Sequence, residues 1–169
     1  RELVEVAERT GVTHMVSVNR RFQPMIRKAK EWAMEQGSLR YVRASILRHN
    51  RREEVFVSGT GIHCIDALRE LGGEITEFEQ FSQEANTPWH HIVFRFESGA
   101  MGSLDVLPSD GNVEERYELF GEGYRVDARV QVSTNPRLRC WKDNKLVLDE
   151  KAPEGEPDFI RLGPYAETH

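Results

Sequence analysis

The sequence predicts an α+β domain, and three observations carry that expectation. Amphipathic segments with helical spacing are confined to residues 1–73, a series of strand-like runs fills the chain from residue 75 onward, and most of those runs are separated by turn chemistry suited to antiparallel neighbours. With 169 residues, 38% apolar and 30% charged, the chain is long enough for one domain with a real core.

The elements follow in order. Residues 1–10 place Leu3, Val6 and Ala7 on one helical face and close at Gly11. Residues 12–18 are short and β-branched and read as a strand, with Asn19-Arg20-Arg21-Phe22 as the strand-to-helix turn behind it. Met25, Ile26, Ala29, Trp32 and Ala33 recur at helical spacing with Pro24 in the first turn and Gly37 beyond the end, which predicts a helix over 24–36. Residues 39–49 form a long strand and 50–54 a charged loop. The run 59–73 is a helix whose Ile62, Ile65, Leu68 and Leu71 form its buried stripe, stopped by Gly72-Gly73. Strands are then expected at 75–81, 91–96, 100–107, 113–120, 124–130, 138–142 and 146–148. Glu97-Ser-Gly-Ala, Ser109-Asp-Gly-Asn, Gly121-Glu-Gly and Asp143-Asn supply hairpin turns between them. The alternation over 113–120 is loose, and Arg95 and Arg116 fall inside strands, so one face of the sheet is expected to be wet or used for contact. Residues 151–163, rich in Pro, Gly and acid, suggest a surface excursion.

Composition narrows the partners. A net charge of -5 with basic residues scattered among acidic ones argues against nucleic acid and against an anionic membrane surface, which leaves small molecules or proteins. No apolar run approaches the ~20 residues of a membrane span. Cys64 and Cys140 have no metal-ligand spacing and read as reduced thiols of a cytoplasmic protein. The chain opens without Met, directly in a helix, and is expected to be cut at both ends.

Gly59-Thr-Gly-Ile-His-Cys follows a short strand-like Val55-Phe-Val and has Glu79 about 20 residues on, as a dinucleotide fingerprint requires. The third glycine is replaced by Cys64, and the following strands are hairpin-linked where a nucleotide fold needs parallel βαβ units. The run is therefore read as a close-packed helix start that needs small residues, and not as a cofactor cradle. His63 has two readings: a half-buried ring satisfied by Asp66 or a backbone carbonyl, or a proton-transferring imidazole whose tautomer Asp66 fixes. Arg20 and Arg21 stand where a strand gives way to a helix, placed either to clamp a carboxylate, phosphate or sugar hydroxyl or to pair with surface glutamates. His90-His91 alternate across a strand and cannot share one metal, and no metal site is recognisable.

The run Val16-Ser-Val-Asn-Arg-Arg-Phe-Gln-Pro24, with Gly61-Ile-His-Cys-Ile-Asp-Ala-Leu-Arg-Glu-Leu71 some forty residues later, resembles the Gfo/Idh/MocA family of nicotinamide-dependent sugar and polyol oxidoreductases over essentially the whole chain. The resemblance implies that residues 1–18 are the last helix and strand of a truncated N-terminal Rossmann domain. Residues 19–169 are then a C-terminal substrate and oligomerisation domain, itself truncated at its end, with an open, antiparallel-rich mixed sheet and helices packed on one face. It implies NAD or NADP as cofactor, a sugar, sugar nucleotide or cyclitol as substrate, and homo-oligomerisation through the sheet face. His63 matches the active-site histidine, which works with a lysine of an upstream Glu-Lys-Pro segment as proton relay. Arg20 and Arg21 match residues near substrate and cofactor, with Asp66 on the substrate side and Asn19 on the cofactor side. Many members carry an aspartate four residues before the histidine, where its charge raises the basicity of the imidazole; here that position is Gly59. The fragment is therefore expected to be inactive alone, and a non-catalytic interaction module that keeps the family fold is the alternative.

Overall fold

The strand expected at residues 39–49 is the centre of the sheet. In this computed structural model, which describes residues 2–13, 18–53, 55–130 and 135–151, β1 (Leu39–Leu47) lies between β4 (Met101–Leu107), to which it is parallel, and β5 (Glu114–Gly121), to which it is antiparallel. The remaining strands are β2 (Ile75–Ser82), β3 (His90–Phe96), β6 (Tyr124–Arg129), β7 (Arg137–Lys142) and β8 (Lys145–Lys151). The order is β2-β3-β4-β1-β5-β6-β7-β8, one open eight-stranded sheet in which β1 and β4 are the parallel pair. The expected mixed, antiparallel-rich α+β architecture is the observed one.

One predicted hairpin is not a hairpin. Ser109-Asp-Gly-Asn joins β4 to β5, but β1 lies between those strands, so the connection passes over the end of β1. It is tied there by Arg51 N–H to Pro108 O and Asp110 N–H to Arg48 O, while Asp110 Oδ2 accepts from Asn112 N–H. Turn chemistry reports a reversal of direction and is silent about what is inserted beside it. The Asp143-Asn144 reversal between β7 and β8 is a true hairpin, both residues having positive φ (48° and 61°), as a tight primed turn requires.

Helices cover one face. α2 (Pro24–Gln36) begins with Pro24 in its first turn and buries Met25, Ile26, Ala29 and Ala33 against β5 to β7, with Trp32 edge-on to Tyr124. α3 (Ile62–Gly72) lies over β1 and β4 and ends at Gly73, whose φ of 99° suits the stop. Its buried face is Gly61, Cys64, Ala67, Leu68 and Leu71; Ile62 and Ile65, expected in the stripe, are only partly buried. The sheet contributes Val42, Ala44, Ile46, Ile92, Phe94, Phe96, Leu104, Val106, Tyr117, Leu119 and Val126 to the same core.

The opposite face carries charge where a second apolar layer would need none. Glu118 accepts from Arg43 and Arg125 and pairs with Arg116, which also grips Asp127 through two 2.8 Å bonds. Phe120 lies beneath Arg43 and Arg125 at 6.0 and 5.6 Å. Among the described residues no helix packs on this face. α1 (Glu2–Thr10) ends at Gly11, which donates to Ala7 O, and buries none of its residues. Of the strand expected at 12–18, Val12, Thr13 and Val18 are described and none is in a strand, while 14–17 lie outside the described residues; of the excursion expected at 151–163, Lys151 ends β8 and 152–163 lie outside them.

Candidate active site

The site forms where β1 ends. A single 3-10 turn, Arg20–Phe22, leads into α2; a wide π turn, Val57–Gly61, leads into α3; Arg48 follows β1, and Glu115 is the second residue of β5. The Val55-Phe-Val strand expected before the glycines is absent. Val55 is in a turn and Phe56 and Val57 are already helical, which removes the strand a nucleotide cradle needs. Of the two glycines, Gly61 is packed, with Val57 and Val106 in van der Waals range of any added Cβ, whereas at Gly59 an added Cβ meets nothing within 4 Å. A Cβ at Gly61 would make ordinary contacts and one at Gly59 none, so sterics at the Cβ position require glycine at neither.

Beneath the histidine lies a buried ion network. Glu115, fully enclosed, accepts from Arg20 Nε at 2.6 Å through Oε1 and from Arg48 Nη2 at 2.7 Å through Oε2. Tyr117 Oη is 2.8 Å from Glu115 Oε1 and 3.2 Å from Cys64 Sγ. Arg48 Nη1 donates to Leu47 O at 2.9 Å and to Glu114 O at 3.4 Å, and Arg20 Nη1 to Asn19 Oδ1 at 2.9 Å. Burial pushes the Glu115 carboxyl up, but the two guanidiniums outweigh it and hold it below its ordinary value. Burial likewise opposes the charge on Arg20, and Glu115 more than restores it. Burial drives the Cys64 thiol and the Tyr117 hydroxyl well up, so both stay protonated at neutral pH.

A second, more open pair sits alongside. Arg21 donates through Nε to Asp66 Oδ2 at 2.7 Å and through Nη2 to Asp66 Oδ1, and it reaches Glu70 at 3.4 Å. Glu70 also accepts from Lys30. Asp66 is thus held by Arg21 and not by His63, and its carboxylate ties the 3-10 turn to α3.

His63 is half-buried in the first turn of α3. Its Nδ1 is closed off by the chain's own atoms and has no hydrogen-bond partner among the described residues, so Nε2 is the ring atom left to a ligand. Burial lowers its pKa, Arg20 and Arg48 add to the lowering, and Glu115 and Asp66 oppose it. The imidazole is neutral at physiological pH.

The structure therefore brings Asn19, Arg20, Arg21, His63 and Asp66 to one end of the sheet. Arg48, Glu115 and Tyr117 belong to the same cluster and were not singled out from sequence. The signal was the loose alternation of β5: Glu115 points into the core and Glu118 to the open face, so neither phase of the strand reads as apolar. Gln23, at the start of α2, is also buried with both amide atoms unpartnered among the described residues. No group of three His, Cys, Asp or Glu among the described residues is placed to hold a metal ion. No helix among them is long and apolar enough to cross a membrane.

An open mixed sheet with helices on one face and a histidine-bearing helix over its parallel pair is the fold of the C-terminal domain of Gfo/Idh/MocA oxidoreductases. A dehydrogenase from Chromobacterium violaceum is similar at a TM-score of 0.78 and 18% identity, over 99% of this chain and 55% of that one. A Gfo/Idh/MocA family oxidoreductase from Vibrio cholerae is similar at 0.69 and 18%, over 98% of this chain and 54% of that one. The WlbA dehydrogenase from Bordetella pertussis, in a complex with NADH and UDP-GlcNAcA, is similar at 0.65 and 19%, over 97% and 54%. The chain spans about half the length of these proteins. No family model matches it, and no curated protein does.

Proposed function

We propose that the chain is the substrate-side domain of a nicotinamide-dependent oxidoreductase acting on a sugar, sugar nucleotide or cyclitol. The observation that carries this reading is the placement of His63 beside Arg20 at the end of β1, with one ring nitrogen open to a ligand and a buried Glu115 holding the arginine in place. His63 meets the oxygen on the reacting carbon. Arg20 positions the substrate, the Arg21–Asp66 pair holds the 3-10 turn against α3, and Asn19 orients Arg20 on the cofactor side. NAD or NADP, when bound, supplies or takes the hydride. The described residues include no glycine cradle for its phosphates, and we assign phosphate binding to a nucleotide-binding domain. Residues 1–18 are read as the end of that domain and 19–169 as the substrate domain. The exposed apolar residues of α1, Leu3 and Val6, favour a covering partner of this kind. Homo-oligomerisation through the arginine-rich face and a cytoplasmic setting complete the proposal, the latter supported by two free buried cysteines.

The test is hydride transfer. Produced together with a nucleotide-binding domain encoded upstream, the chain should oxidise or reduce at least one member of a panel of sugars, sugar nucleotides and cyclitols with NAD(P), and His63→Ala should abolish it. Alone, it should show none; hydride transfer by the isolated chain would overturn the division of labour. A non-catalytic interaction module is the second reading, favoured by Gly59 and the unpartnered Nδ1 of His63. Inactivity of the joined protein on the whole panel, with assembly intact in His63→Ala, would select it.

A further inference from the structure

The resemblance to the oxidoreductases assigns His63 a share in moving a proton, and the geometry around its ring points elsewhere. A histidine that carries a proton between a substrate and a second group needs both ring nitrogens: one toward the substrate, the other toward an acceptor that takes up or stabilises the charge. Here the second nitrogen has nothing to work with. Nδ1 is enclosed by the chain's own atoms and unpartnered among the described residues, so neither a substrate nor a further domain reaches it without displacing those atoms. The carboxylates nearest to it are already engaged. From α3, Asp66 is held through both oxygens by Arg21; from β5, Glu115 is held by Arg20 and Arg48. Four residues upstream stands Gly59, with nothing within 4 Å of its Cβ position.

Where the proton sits follows from this enclosure. A buried N–H without an acceptor is rarer and more costly in folded proteins than a buried lone pair without a donor. Arg20 from the 3-10 turn and Arg48 from the end of β1 place positive charge near the ring, which disfavours a second proton on it. The proton is therefore on Nε2, the atom open to a ligand.

We infer that His63 is a neutral hydrogen-bond donor which holds and polarises an acceptor oxygen of the substrate through Nε2–H, and is not a proton carrier. This rests on the oxidoreductase reading and narrows it. The favoured ligand group is an acceptor, a ketone or aldehyde oxygen or the oxygen that becomes one, flanked by the Arg20 guanidinium. A neutral imidazole can serve in this way as an electrophile without ever ionising. No proton leaves the ring, because doing so would create an imidazolate beside an empty Nδ1; the proton that balances hydride transfer passes to or from a side-chain amine of the upstream nucleotide-binding domain, the lysine that the resemblance implies.

The experiment is nitrogen NMR of the 15N-histidine-labelled chain, which reads the tautomer whether or not any activity is found. Nε2–H and a neutral ring at pH 7 are expected; an Nδ1–H tautomer or an imidazolium would overturn the proposal. In the active longer protein, His63→Ala should cost about 10²–10³-fold in kcat, as loss of one aligned donor does. His63→Gln, whose amide N–H replaces Nε2–H but cannot carry a proton, should recover most of that loss. Equal losses in the two variants would refute the donor role. Failure of the oxidoreductase reading would instead appear as inactivity of the unmutated protein.

Discussion

Glu115 is the residue on which the site most depends, and its replacement by Gln gives the sharpest energetic prediction. The substitution keeps the volume and removes the charge between two guanidiniums. Arg20 and Arg48 retain only 10% and 11% of their side-chain exposure, so neither can turn to water when the carboxylate is lost. Breaking a buried ion pair by deleting one partner costs about 3–5 kcal/mol, and the Gln carbonyl left for Tyr117 places this case near the lower end. Glu118 is the control. It is as buried, but its arginines keep 45%, 41% and 23% exposure and can be rehydrated, so Glu118→Gln should cost about 1–2 kcal/mol. The assay is urea unfolding of both variants at pH 7. A loss of ~3 kcal/mol is a large part of a domain's 5–15 kcal/mol and shifts the midpoint by about 1 M or more. A loss no greater in Glu115→Gln than in Glu118→Gln would refute the argument from arginine burial. The pH dependence gives an independent check. The Glu115 pKa is held below its ordinary 4.5, so its contribution is fully present above that value and is lost as pH falls through the lowered one. Glu115→Gln should flatten the acid limb of the stability curve.

Other positions make separate tests. Gly102→Ala places a Cβ 2.9 Å from Val42 O and 2.7 Å from the Phe96 ring; a backbone carbonyl in the parallel β1–β4 pair cannot yield, so a loss of about 1–3 kcal/mol is expected in thermal unfolding. Leu68→Ala, in the fully buried face of α3, should cost about 2–5 kcal/mol by the same measurement. Arg21→Lys cannot reproduce the two-pronged grip on Asp66 and should cost about 1–2 kcal/mol, visible as a lowered Tm. His63 has a pKa lowered from its ordinary 6.5 by burial first and Arg20 second, so the unfolded chain binds a proton that the folded chain resists. Stability should therefore fall as pH drops below 6.5 toward the lowered value, and His63→Gln should reduce that slope in urea titrations; His90, lowered by burial, sets the residual.

The helices and strands were legible because each rests on local chemistry. Pro24 at a first turn, Gly73 past a last one and Asp143-Asn144 at a reversal each act within a few residues, and the observed boundaries follow them. What failed to show was what depends on a third element. The β4–β5 connection has hairpin chemistry, yet β1, more than fifty residues earlier in the sequence, occupies the place between those strands. The stripe on α3 runs through Gly61, Cys64, Leu68 and Leu71, the spacing of 3.6 residues per turn, whereas the expected Ile62, Ile65, Leu68 and Leu71 repeat every three residues and drift round the helix. Likewise His63 could be picked out alone, as the one side chain on its helix that packing does not explain. Its setting could not. The Arg20–Glu115 bond spans 95 residues, and nothing local to either residue announces the other.

Gly59 shows how the structure separates packing from chemistry within one short motif. Both glycines before His63 have the same bland explanation in sequence, a helix start too close to the sheet for larger residues. Gly61 comes nearer to it, a Cβ there lying 3.6 Å from Val57 and 3.8 Å from Val106 of β4, ordinary contacts that do not forbid one. Gly59 has room, a φ outside the left-handed region, and a place in the first helical turns where a carboxylate would be favoured by the helix dipole. Sterics therefore do not require glycine there. Asp66 is bound to Arg21 and Glu115 to Arg20 and Arg48, and among the described residues no carboxylate partners His63 Nδ1. The arginine side of the site is built with full pairing and deep burial, while the histidine side is left with an empty nitrogen. A site so divided is suited to gripping and polarising an oxygen, with proton movement assigned to a group outside the cluster.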